Sequence, residues 1–582
     1  MVSGGAAELG SGRNALLVYP EFPPSYWGYG YALEFVDKKS NMPPLGLLTV
    51  AGMFPQSWSL RLIDMNVEPL AEADMAWADV VFTSSMLVQR TSLLSVIERA
   101  NRAGVAVVAG GPHPTAHCDE IAEQFPRGRG VDHFLLGEVE EVFSEFLRDF
   151  GSGRARGRYE PANRPDIARA PLPRFDLIDP QLYGSMALQF SRGCPFDCEF
   201  CDITQLYGRV PRTKSNRQML AEFELLYQSG FRGSVFLVDD NFIGNKRDAM
   251  RLLLALGEWQ RERSHPFTLF TEASVNLAEM PELMDAMRNA GFNMVFVGIE
   301  SPTRDALERT AKSHNLGRED DTSRYLLHAV RRIQSRGMTV SGGFIIGLDG
   351  DREFDSHLEF IREAGIPMAM AGILTVLKGT KLFRRLQREG RLRDEYTGCN
   401  TEIALNFEPE LPRERLLAEY RRVISTLYDP SLRAYFDRCL TLFEHLAPLA
   451  YDGRGIAWVD VRALLRSLRR QLFSRQGPAY ARFLLLVIAR HRAHFAEAIR
   501  LAIKGYHFEK VTRQQLAVDD VKALLDAELE ALRAAAPEAV PSARLARLTR
   551  RVRRRQRRLE KEFRRGVDEA VDAFHRALRE QL

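Results

Sequence analysis

The sequence predicts an α/β protein in which two parallel sheets are followed by an all-helical region. Five short apolar runs between residues 15 and 138 alternate with helical patterns, which is typical of a doubly wound, Rossmann-like sheet. Six further strand–helix units between 187 and 379 predict a full or partial β/α barrel. From about residue 395 onward the strand patterns end, and Arg-rich helical patterns take over.

Composition places the chain among globular proteins of a reducing compartment. Of its 582 residues, 45% are apolar and 27% are charged. The first 20 residues lack a basic start followed by an apolar run, so we expect no signal peptide. The apolar run 483–489 is too short to span a bilayer. The cysteines are too few and too scattered for a disulfide framework, which favours the cytoplasm; they lie at 118, 194, 198, 201, 399 and 439.

The first domain is predicted to span residues 1–150. Its expected strands are the apolar runs at 15–20, 60–66, 78–85, 105–111 and 133–138. Ligands of doubly wound sheets bind beyond the carboxyl ends of the strands, so the residues after each run are the candidates for binding. A stretch rich in Gly, Pro and Arg and without periodicity predicts a linker at 151–180.

The second domain, the barrel, is predicted to span residues 181–392. Its expected strands lie at 187–193, 234–241, 268–274, 294–300, 339–348 and 369–379. Active sites of β/α barrels lie at the C-terminal ends of the strands. Several polar residues occupy those ends, namely Asp239, Asp240, Glu272, Ser274 and Glu300. Each carboxylate could also be a helix cap or part of a surface ion pair.

A helical domain is predicted at 393–530 and a basic helical tail at 531–582. Between 541 and 582, 14 Lys and Arg stand against 6 Asp and Glu, a net charge of +8. Such a tail could bind RNA or make peripheral contact with an anionic membrane. We favour a helix that is solvated or packed on the rest of the protein. Nucleic acid is not expected, because the tail lacks the interleaved aromatic residues of single-strand binders.

The clearest chemical motif is SRGCPFDCEFC at 191–201, directly after an expected strand. Its cysteines, Cys194, Cys198 and Cys201, are spaced C-x3-C-x2-C. Thiolates suit zinc, copper(I) or iron–sulfur clusters. A structural zinc normally has four ligands, often from two C-x2-C pairs, and the sequence offers no second pair. Three thiolates on a cubane cluster would leave one iron open for a small molecule.

This spacing, with Phe200 before the third cysteine, resembles the radical S-adenosylmethionine (SAM) superfamily. The resemblance implies a [4Fe–4S] cluster on which SAM binds and is cleaved to a 5′-deoxyadenosyl radical, with an electron donor such as flavodoxin or ferredoxin. It implies that SAM is held by residues at the ends of the second to fourth barrel strands and lies beside 342–351. These residues are Asp239, Asp240, Asn241, Glu272, Ser274 and Glu300, the last placed to bond the ribose. The VDDNF stretch at 238–242 departs from the commoner Gly-Gly-Glu form.

A doubly wound domain before such a barrel resembles the cobalamin-dependent branch of the superfamily. Two parts of that branch's fingerprint are present, Ser85-x-Leu87 after the third strand and Gly110-Gly111 after the fourth. Glycine would let a large flat ligand approach the backbone. The third part, Asp-x-His-x-x-Gly after the first strand, is absent, since the first histidine is His113. The resemblance therefore implies cobalamin without its usual histidine; each motif could also be an ordinary tight turn in a domain that has lost cobalamin.

The stretches at 43–55, 188–203, 238–246 and 271–278 resemble one subgroup, which includes hopanoid C-2 methylase-like proteins and bacteriochlorophyll side-chain methyltransferases. The resemblance covers roughly residues 15–510. It implies C-methylation of an unactivated carbon of a lipophilic small molecule that lies between the two cofactors. The aromatic stretch 24–35 either lines that pocket or is a loop packed on the barrel.

Two other kinds of function remain open from the sequence. One is a radical SAM reaction that does not methylate, with or without cobalamin, such as a rearrangement or carbon–carbon bond formation. The other is a non-enzymatic zinc- or RNA-binding protein built on the cysteines and the basic tail. A third kind, an RNA- or protein-modifying radical SAM enzyme such as a methylthiotransferase, usually has extra cluster cysteines in the first domain. Only Cys118 occurs there, which argues against this function.

Overall fold

The computed structural model describes residues 12–126, 128–317, 321–393, 403–448, 458–533 and 542–579. Cys399 lies outside these ranges. So do residues 1–11, on which the expectation of no signal peptide partly rests. The strands are β1 (Asn14–Tyr19), β2 (Ser59–Asp64), β3 (Val80–Ser84), β4 (Ala106–Gly110), β5 (His133–Leu135), β6 (Arg158–Tyr159), β7 (Ser185–Leu188), β8 (Ser191–Arg192), β9 (Arg212–Thr213), β10 (Ser234–Leu237), β11 (Thr268–Glu272), β12 (Phe292–Glu300), β13 (Thr339–Ile346) and β14 (Ala369–Ile373).

The helices are α1 (Gly30–Leu33), α2 (Leu45–Ala51), α3 (Glu72–Trp77), α4 (Arg90–Ala103), α5 (Pro112–Glu123), α6 (Phe143–Gly151), α7 (Ile203–Leu206), α8 (Asn216–Gln228), α9 (Lys246–Glu262), α10 (Pro281–Ala290), α11 (Arg304–Arg309), α12 (Thr322–Gln334), α13 (Asp355–Glu363), α14 (Lys381–Arg388), α15 (Arg413–Leu427), α16 (Arg433–His445), α17 (Trp458–Leu472), α18 (Gly477–Arg490), α19 (Phe495–Arg533), α20 (Ser542–Gln556) and α21 (Lys561–Arg579).

The first sheet is parallel and has the strand order β2-β1-β3-β4-β5-β6. Its strands are apolar runs because helices cover both faces of the sheet; in β1, residues 15–18 are fully buried. The strand order reverses between β1 and β3, and ligands of such sheets bind in the crevice at this reversal. The predicted doubly wound sheet is therefore confirmed.

The stretch predicted as a linker, 151–180, contributes to the fold. Arg158 and Tyr159 form β6, which extends the first sheet beyond β5. Ile167 and Phe175 are buried as the chain crosses toward the barrel. A two-residue strand shows no periodicity, which is why the sequence pattern did not reveal it.

The second sheet is parallel and has the order β14-β13-β12-β11-β10-β7, as predicted for a partial barrel. Its edge strands are β7 and β14, so the barrel is open on one side between them. The helical region packs at the β14 edge, where the hydroxyl of Tyr428 donates to the carbonyl of Ala369 at 2.7 Å. The hydroxyl of Tyr420 donates to the carbonyl of Ala371 at 3.3 Å.

The basic tail folds back as α20 and α21 along the 39-residue helix α19. Its apolar side chains, among them Phe563, Val567 and Phe574, are buried in that contact. Arg544 pairs with Glu528 of α19. This agrees with the packed helix that we favoured from the sequence. None of the described helices has the length and apolar character of a membrane-spanning segment.

Candidate functional site

The cysteine motif lies on a loop, 193–211, at the carboxyl end of β7. The short antiparallel strands β8 and β9 close this loop into a ribbon. The loop begins at Gly193, which has a φ of +100°. A Cβ there would lie 2.9 Å from the Gly208 carbonyl oxygen, so no side chain fits. The amide of Cys194 then donates to the Gly208 carbonyl at 3.2 Å. The three thiols thus share one closed loop beside the barrel strands.

Asp239 and Asp240, at the end of β10, hold this loop in place. Asp239 is buried and accepts hydrogen bonds from the amide of Phe190 at 3.1 Å and from the amide and hydroxyl of Ser191. Asp240 accepts from the amide of Gly193 at 3.2 Å. We predicted both residues as candidates to hold SAM; in the structure their carboxylates also position the cysteine loop.

Asn241 connects the first cysteine with the end of β11. Its amide nitrogen lies 3.8 Å from the Cys194 sulfur and donates to the Ser274 hydroxyl at 3.2 Å. The amide of Ser274 donates back to the side-chain carbonyl oxygen of Asn241 at 3.3 Å. Two of the predicted residues therefore lie together at the cysteine loop.

Glu272 and Glu300 end the neighbouring strands β11 and β12, and Lys312 lies between Glu300 and the cysteines. The ammonium of Lys312 donates to Glu300 at 2.8 Å and sits 5.8 Å from the centre of the Phe200 ring. Burial, with the carboxylates of Asp240 and Glu300, raises the pKa of Glu272 to about 8. Glu272 can therefore donate a hydrogen bond at neutral pH, whereas the ion pair keeps a positive charge next to the thiols.

Lys312 was not predicted from the sequence. Burial lowers its pKa, but Glu300, Cys198 and Cys201 together raise it above the ordinary value, so the side chain stays charged. His314, two residues on, stacks on Phe196 of the cysteine loop at 3.7 Å between ring centres. Both residues come from the segment after α11, where no motif marks them.

The backbone at Glu300 has a φ of +64°, a left-handed conformation that costs a non-glycine residue roughly 1 kcal/mol or more. The next residues support it, because the Ser301 hydroxyl donates to Asp351 at 2.8 Å and the Thr303 amide donates to Ser301 at 3.1 Å. Asp351 is buried and belongs to the segment 342–351, which we expected to lie beside SAM. The ends of β12 and β13 are thus held together at this turn.

The donor set around the cysteines suits an iron–sulfur cluster. Burial raises the pKa of Cys194 and Cys198, and raises that of Cys201 to about 12, so these thiols would release protons as metal binds. Within the described ranges, no three His, Cys, Asp or Glu side chains are already arranged to hold a metal ion.

The predicted cobalamin motifs meet at the ends of β3 and β4. Ser85 is buried and its hydroxyl lies 3.3 Å from Nδ1 of His113, while Leu87 begins a short 3-10 turn. A Cβ at Gly110 would lie 2.9 Å from the Leu135 carbonyl oxygen. These residues share one edge, as predicted.

The second glycine, Gly111, is also required by contacts within the chain. Gly111 has a φ of +90°, and a Cβ there would overlap the hydroxyl of Ser84 and lie 3.1 Å from the amide nitrogen of Ser85. Gly111 therefore lets the chain approach the neighbouring β3 turn closely.

The Gly111→Ala variant should lose corrinoid binding, because its Cβ displaces the Ser85 turn. We expect its free energy of unfolding to fall by more than about 2 kcal/mol. Gly104→Ala is the matched control, since Gly104 also has a positive φ (+71°) but no atom within 4 Å of where its Cβ would lie. That variant should cost only about 1 kcal/mol and keep binding. Corrinoid retention is measured by absorbance after gel filtration. Equal retention by both variants would contradict the assignment of the Ser85 and Gly111 turns to cobalamin binding.

Two histidines also lie at this edge, at the start of α5. His113 is buried, which lowers its pKa to about 4, and His117 lies 5.6 Å away between ring centres. Burial lowers the pKa of His117 as well. The usual cobalamin fingerprint has its histidine after the first strand, where this chain has none. The fold instead brings the neutral rings of His113 and His117 beside the Ser85 turn. Neutral imidazole is a good cobalt ligand, so the chemistry of this edge fits a cobalamin.

The two candidate edges face each other across one buried carboxylate. Glu138 follows β5 of the first sheet and pairs with Arg192 at 2.8 Å and Arg212 at 2.6 Å, the two arginines of the ribbon that closes the cysteine loop. Because Glu138 is almost fully buried, these pairs fix the first sheet's edge to the cysteine loop.

Comparison with known proteins agrees with this two-sheet arrangement. Residues 36–147 match the B12 binding domain, residues 188–361 match the Radical SAM superfamily, and residues 380–519 match a domain of unknown function, DUF4070. Uncharacterized methyltransferase sll1242 from Synechocystis is 41% identical over 86% of this chain and 93% of that protein. Hopanoid C-2 methylase from Rhodopseudomonas palustris is 35% identical over 80% of this chain and 85% of that protein. The chain belongs to the cobalamin-dependent radical SAM methyltransferases.

A further relative of this methyltransferase is bacteriochlorophyllide d C-8(2)-methyltransferase from Chlorobaculum tepidum, 24% identical over 71% of this chain and 94% of that protein. Among solved structures, the cobalamin-dependent SAM radical enzyme OxsB with aqua-cobalamin and SAM has a TM-score of 0.56 at 14% identity, covering 93% of this chain and 83% of that one. This structural similarity supports the fold described above.

Family membership settles several predictions for this methyltransferase. It is an enzyme, and its cofactors are a [4Fe–4S] cluster, SAM and cobalamin. The predicted resemblance to the hopanoid and bacteriochlorophyll methylases is confirmed. The non-enzymatic zinc- or RNA-binding alternative is therefore wrong.

Proposed function

We propose that this methyltransferase transfers a methyl group to an unactivated carbon of a large lipophilic small molecule, which binds between the two sheets. The observation that carries this proposal is the apolar, partly exposed interior of the barrel. The names of its relatives, which refer to a hopanoid and to a bacteriochlorophyllide, support a substrate of this kind.

The barrel interior is recognised by the alternation of burial along its strands. In β10, Val235 and Leu237 are fully buried under the covering helices, whereas Phe236 between them is partly exposed. Phe270, in register with Phe236, is partly exposed in β11, and Phe296 is partly exposed in β12. The rings of Phe236 and Phe270 stack at 4.7 Å between centres and are parallel to within 1°. A flat array of rings open to ligands suits an apolar molecule.

The aromatic stretch 24–35 and the residues after it lie at the open side of the barrel. The amide of Ser185, which begins the edge strand β7, donates to the Asn41 carbonyl at 2.8 Å. On the other edge, the hydroxyl of Tyr29 lies 3.9 Å from the sulfur of Met368, directly before β14. The stretch therefore spans the lateral opening between the two edge strands.

This stretch is held from outside by the helical region. The hydroxyl of Tyr26 lies 2.7 Å from that of Thr512 in α19. On the inner side, Trp27 packs on Phe296 at 5.2 Å between ring centres and keeps 38% of its surface exposed. The two roles that we predicted for the stretch are thus compatible: it packs on the barrel and also offers Trp27 to a bound molecule.

Each cofactor has identifiable residues in this arrangement. Cys194, Cys198 and Cys201 would hold the cluster, with Lys312 balancing their negative charge. Asn241, Ser274, Glu272 and Glu300 would hold SAM, and the turns at Ser85–Leu87 and Gly110–Gly111 would hold cobalamin. When bound, these groups supply radical formation and methyl delivery. The chain itself orients the substrate, and its apolar interior excludes water from the reacting carbon.

Two further parts of the proposal concern the cell. Radical formation requires one electron, so a donor such as flavodoxin or ferredoxin is part of the proposed system. We also propose that the enzyme works in the cytoplasm, in peripheral contact with a membrane, where lipophilic substrates accumulate.

The Trp27→Ala variant should bind the lipophilic substrate at least about tenfold more weakly, because a half-exposed indole contributes roughly 1.5–3 kcal/mol of apolar contact. The measurement is KM in a transfer assay with methyl-labelled SAM and an extract of lipids and pigments. Trp77→Ala is the matched control, because Trp77 packs under Arg61 at 4.1 Å outside the barrel. The control should leave KM unchanged.

The same assay tests the proposed function. Label is expected in an apolar product, and a comparison of lipids and pigments from a deletion strain and its parent should identify that product. If the reconstituted enzyme cleaves SAM but labels only polar compounds, the lipophilic substrate is refuted. A product without new methyl groups would instead favour the non-methylating alternative.

A further inference from the structure

The helical region carries an exposed apolar surface that is not part of the site described above. It lies on the hairpin of α17 and α18, and we call it the hairpin surface. Its members are Trp458, Leu465, Leu472, Phe473, Leu485 and Ile488. Phe473, in the turn, is 89% exposed, and Trp458 and Leu485 are each 69% exposed. Contiguous exposed apolar side chains of this size mark an interaction site.

The two helices present these side chains on the same outward side. In α17, residues 458, 465 and 472 recur every seven positions, so they form one stripe along the helix. The opposite faces are buried against each other, with the hydroxyls of Ser467 and Tyr480 at 2.8 Å. The stripe of α17 therefore continues onto Leu485 and Ile488 of α18.

The surroundings of the hairpin surface are strongly basic. From 458 to 494 the chain has eight arginines and a single acidic residue, Asp460. Seven of these arginines are exposed, at 462, 469, 470, 475, 482, 490 and 492. Those at 462, 470 and 482 pair with Asp37, Glu34 and Asp437. Apolar side chains with an arginine rim are the composition of segments that lie in a membrane interface.

We propose that the hairpin surface docks the enzyme on an anionic membrane. Phe473, Trp458 and the leucines would enter the boundary between headgroups and acyl chains, and the arginines would contact anionic headgroups. A second copy of the chain fits this surface poorly, because a two-fold contact would set the arginine rim against itself.

The hairpin lies beside the stretch that spans the barrel opening. Arg466 of α17 donates to the carbonyls of Glu34 and Phe35 at 3.2 and 3.1 Å, and Arg470 pairs with Glu34 at 2.6 Å. Docking through the hairpin would bring this stretch next to the bilayer. That consequence rests on the proposed function, since it gives a lipophilic substrate a short path to the barrel interior.

The basic tail is a weaker candidate for the same contact. Its apolar side chains, such as Leu548, Val552 and Phe563, are buried against the rest of the protein. The tail can offer exposed arginines to a membrane, but its described residues provide no apolar stripe to insert. The hairpin surface has both exposed arginines and exposed apolar side chains.

Flotation of the full chain with vesicles of stated composition tests this inference. The chain is expected to bind vesicles of equal parts phosphatidylcholine and phosphatidylglycerol, and to bind pure phosphatidylcholine more weakly. The combined Leu465→Gln, Phe473→Gln and Leu485→Gln variant should lose at least about tenfold in partitioning, because three apolar side chains no longer insert. The combined Arg469→Gln, Arg475→Gln and Arg490→Gln variant should lose binding to the anionic vesicles only.

The matched control removes three exposed arginines from the tail, in the combined Arg550→Gln, Arg553→Gln and Arg554→Gln variant. It should bind within about twofold of the unaltered chain, whereas equal losses from hairpin and tail variants would overturn the inference. Absence of vesicle binding by the unaltered chain would also overturn it. A dimer in sedimentation equilibrium that dissociates in the combined Leu465→Gln, Phe473→Gln and Leu485→Gln variant would overturn it as well. Circular dichroism checks that each variant is folded. The assay needs no SAM or reductant, so failure here removes the proposed membrane contact but leaves the proposed methyl transfer to a lipophilic molecule standing.

Discussion

The Cys198→Ala variant is expected to produce no 5′-deoxyadenosine above background while keeping its fold. Cys198 is one of three thiols on the loop that β8 and β9 close, and the cluster loses a third of its protein ligands without it. The loop itself is held by backbone hydrogen bonds to Asp239 and Gly208, which the substitution leaves intact. Iron content after anaerobic reconstitution and product formation with dithionite are the measurements.

The control for this prediction is Cys118→Ala. Cys118 is also a buried free cysteine, but it lies in α5 of the first domain, away from the loop. Its variant should keep iron and SAM cleavage at the level of the unaltered enzyme. If Cys198→Ala retained a cluster that cleaves SAM, the assignment of the three thiols would be wrong.

The parts of this protein that the sequence predicted are those encoded locally. Buried parallel strands are near-continuous apolar runs, so the strands of both sheets stood out except β6, which is two residues long. The cysteine motif is local as well, because its ligands fall within eight residues. What the sequence could not supply are contacts between distant segments. The hydrogen bond between Tyr26 and Thr512, which fixes the aromatic stretch, joins residues 486 apart.

Contacts between distant segments also decide the roles of the residues in the candidate site. From the sequence, the carboxylates at strand ends were equivalent, since each follows an apolar run. The fold separates them: Asp239 is occupied by backbone amides, Glu272 has a raised pKa, and Glu300 has an ionic partner. That partner, Lys312, lies twelve residues beyond Glu300 with no periodicity to mark it. Chemical role therefore depended on neighbours that only the folded chain assembles.

The Lys312→Met variant is expected to lose both stability and SAM cleavage. It leaves the carboxylate of Glu300 buried without its partner, and breaking a buried pair in this way costs about 3–5 kcal/mol of the free energy of unfolding. It also removes the positive charge next to the cysteine loop, so the negatively charged reduced cluster is less stabilised. We expect SAM cleavage to fall by at least about a hundredfold, a loss that corresponds to about 2.7 kcal/mol.

Two further variants separate these effects. The Glu300→Gln and Lys312→Met double variant removes the unpaired charge, so unfolding in urea should show most of the stability restored, while SAM cleavage stays low. Lys214→Met is the matched control, because Lys214 and Glu222 form another buried ion pair, joining the segment after β9 to α8. It should destabilise the chain by a similar amount and leave cleavage per folded molecule unchanged. If the double variant regained cleavage together with stability, the Lys312–Glu300 pair would only support the fold. Persistent loss of cleavage in a stable protein places the pair, rather than its contribution to stability, in the cofactor site.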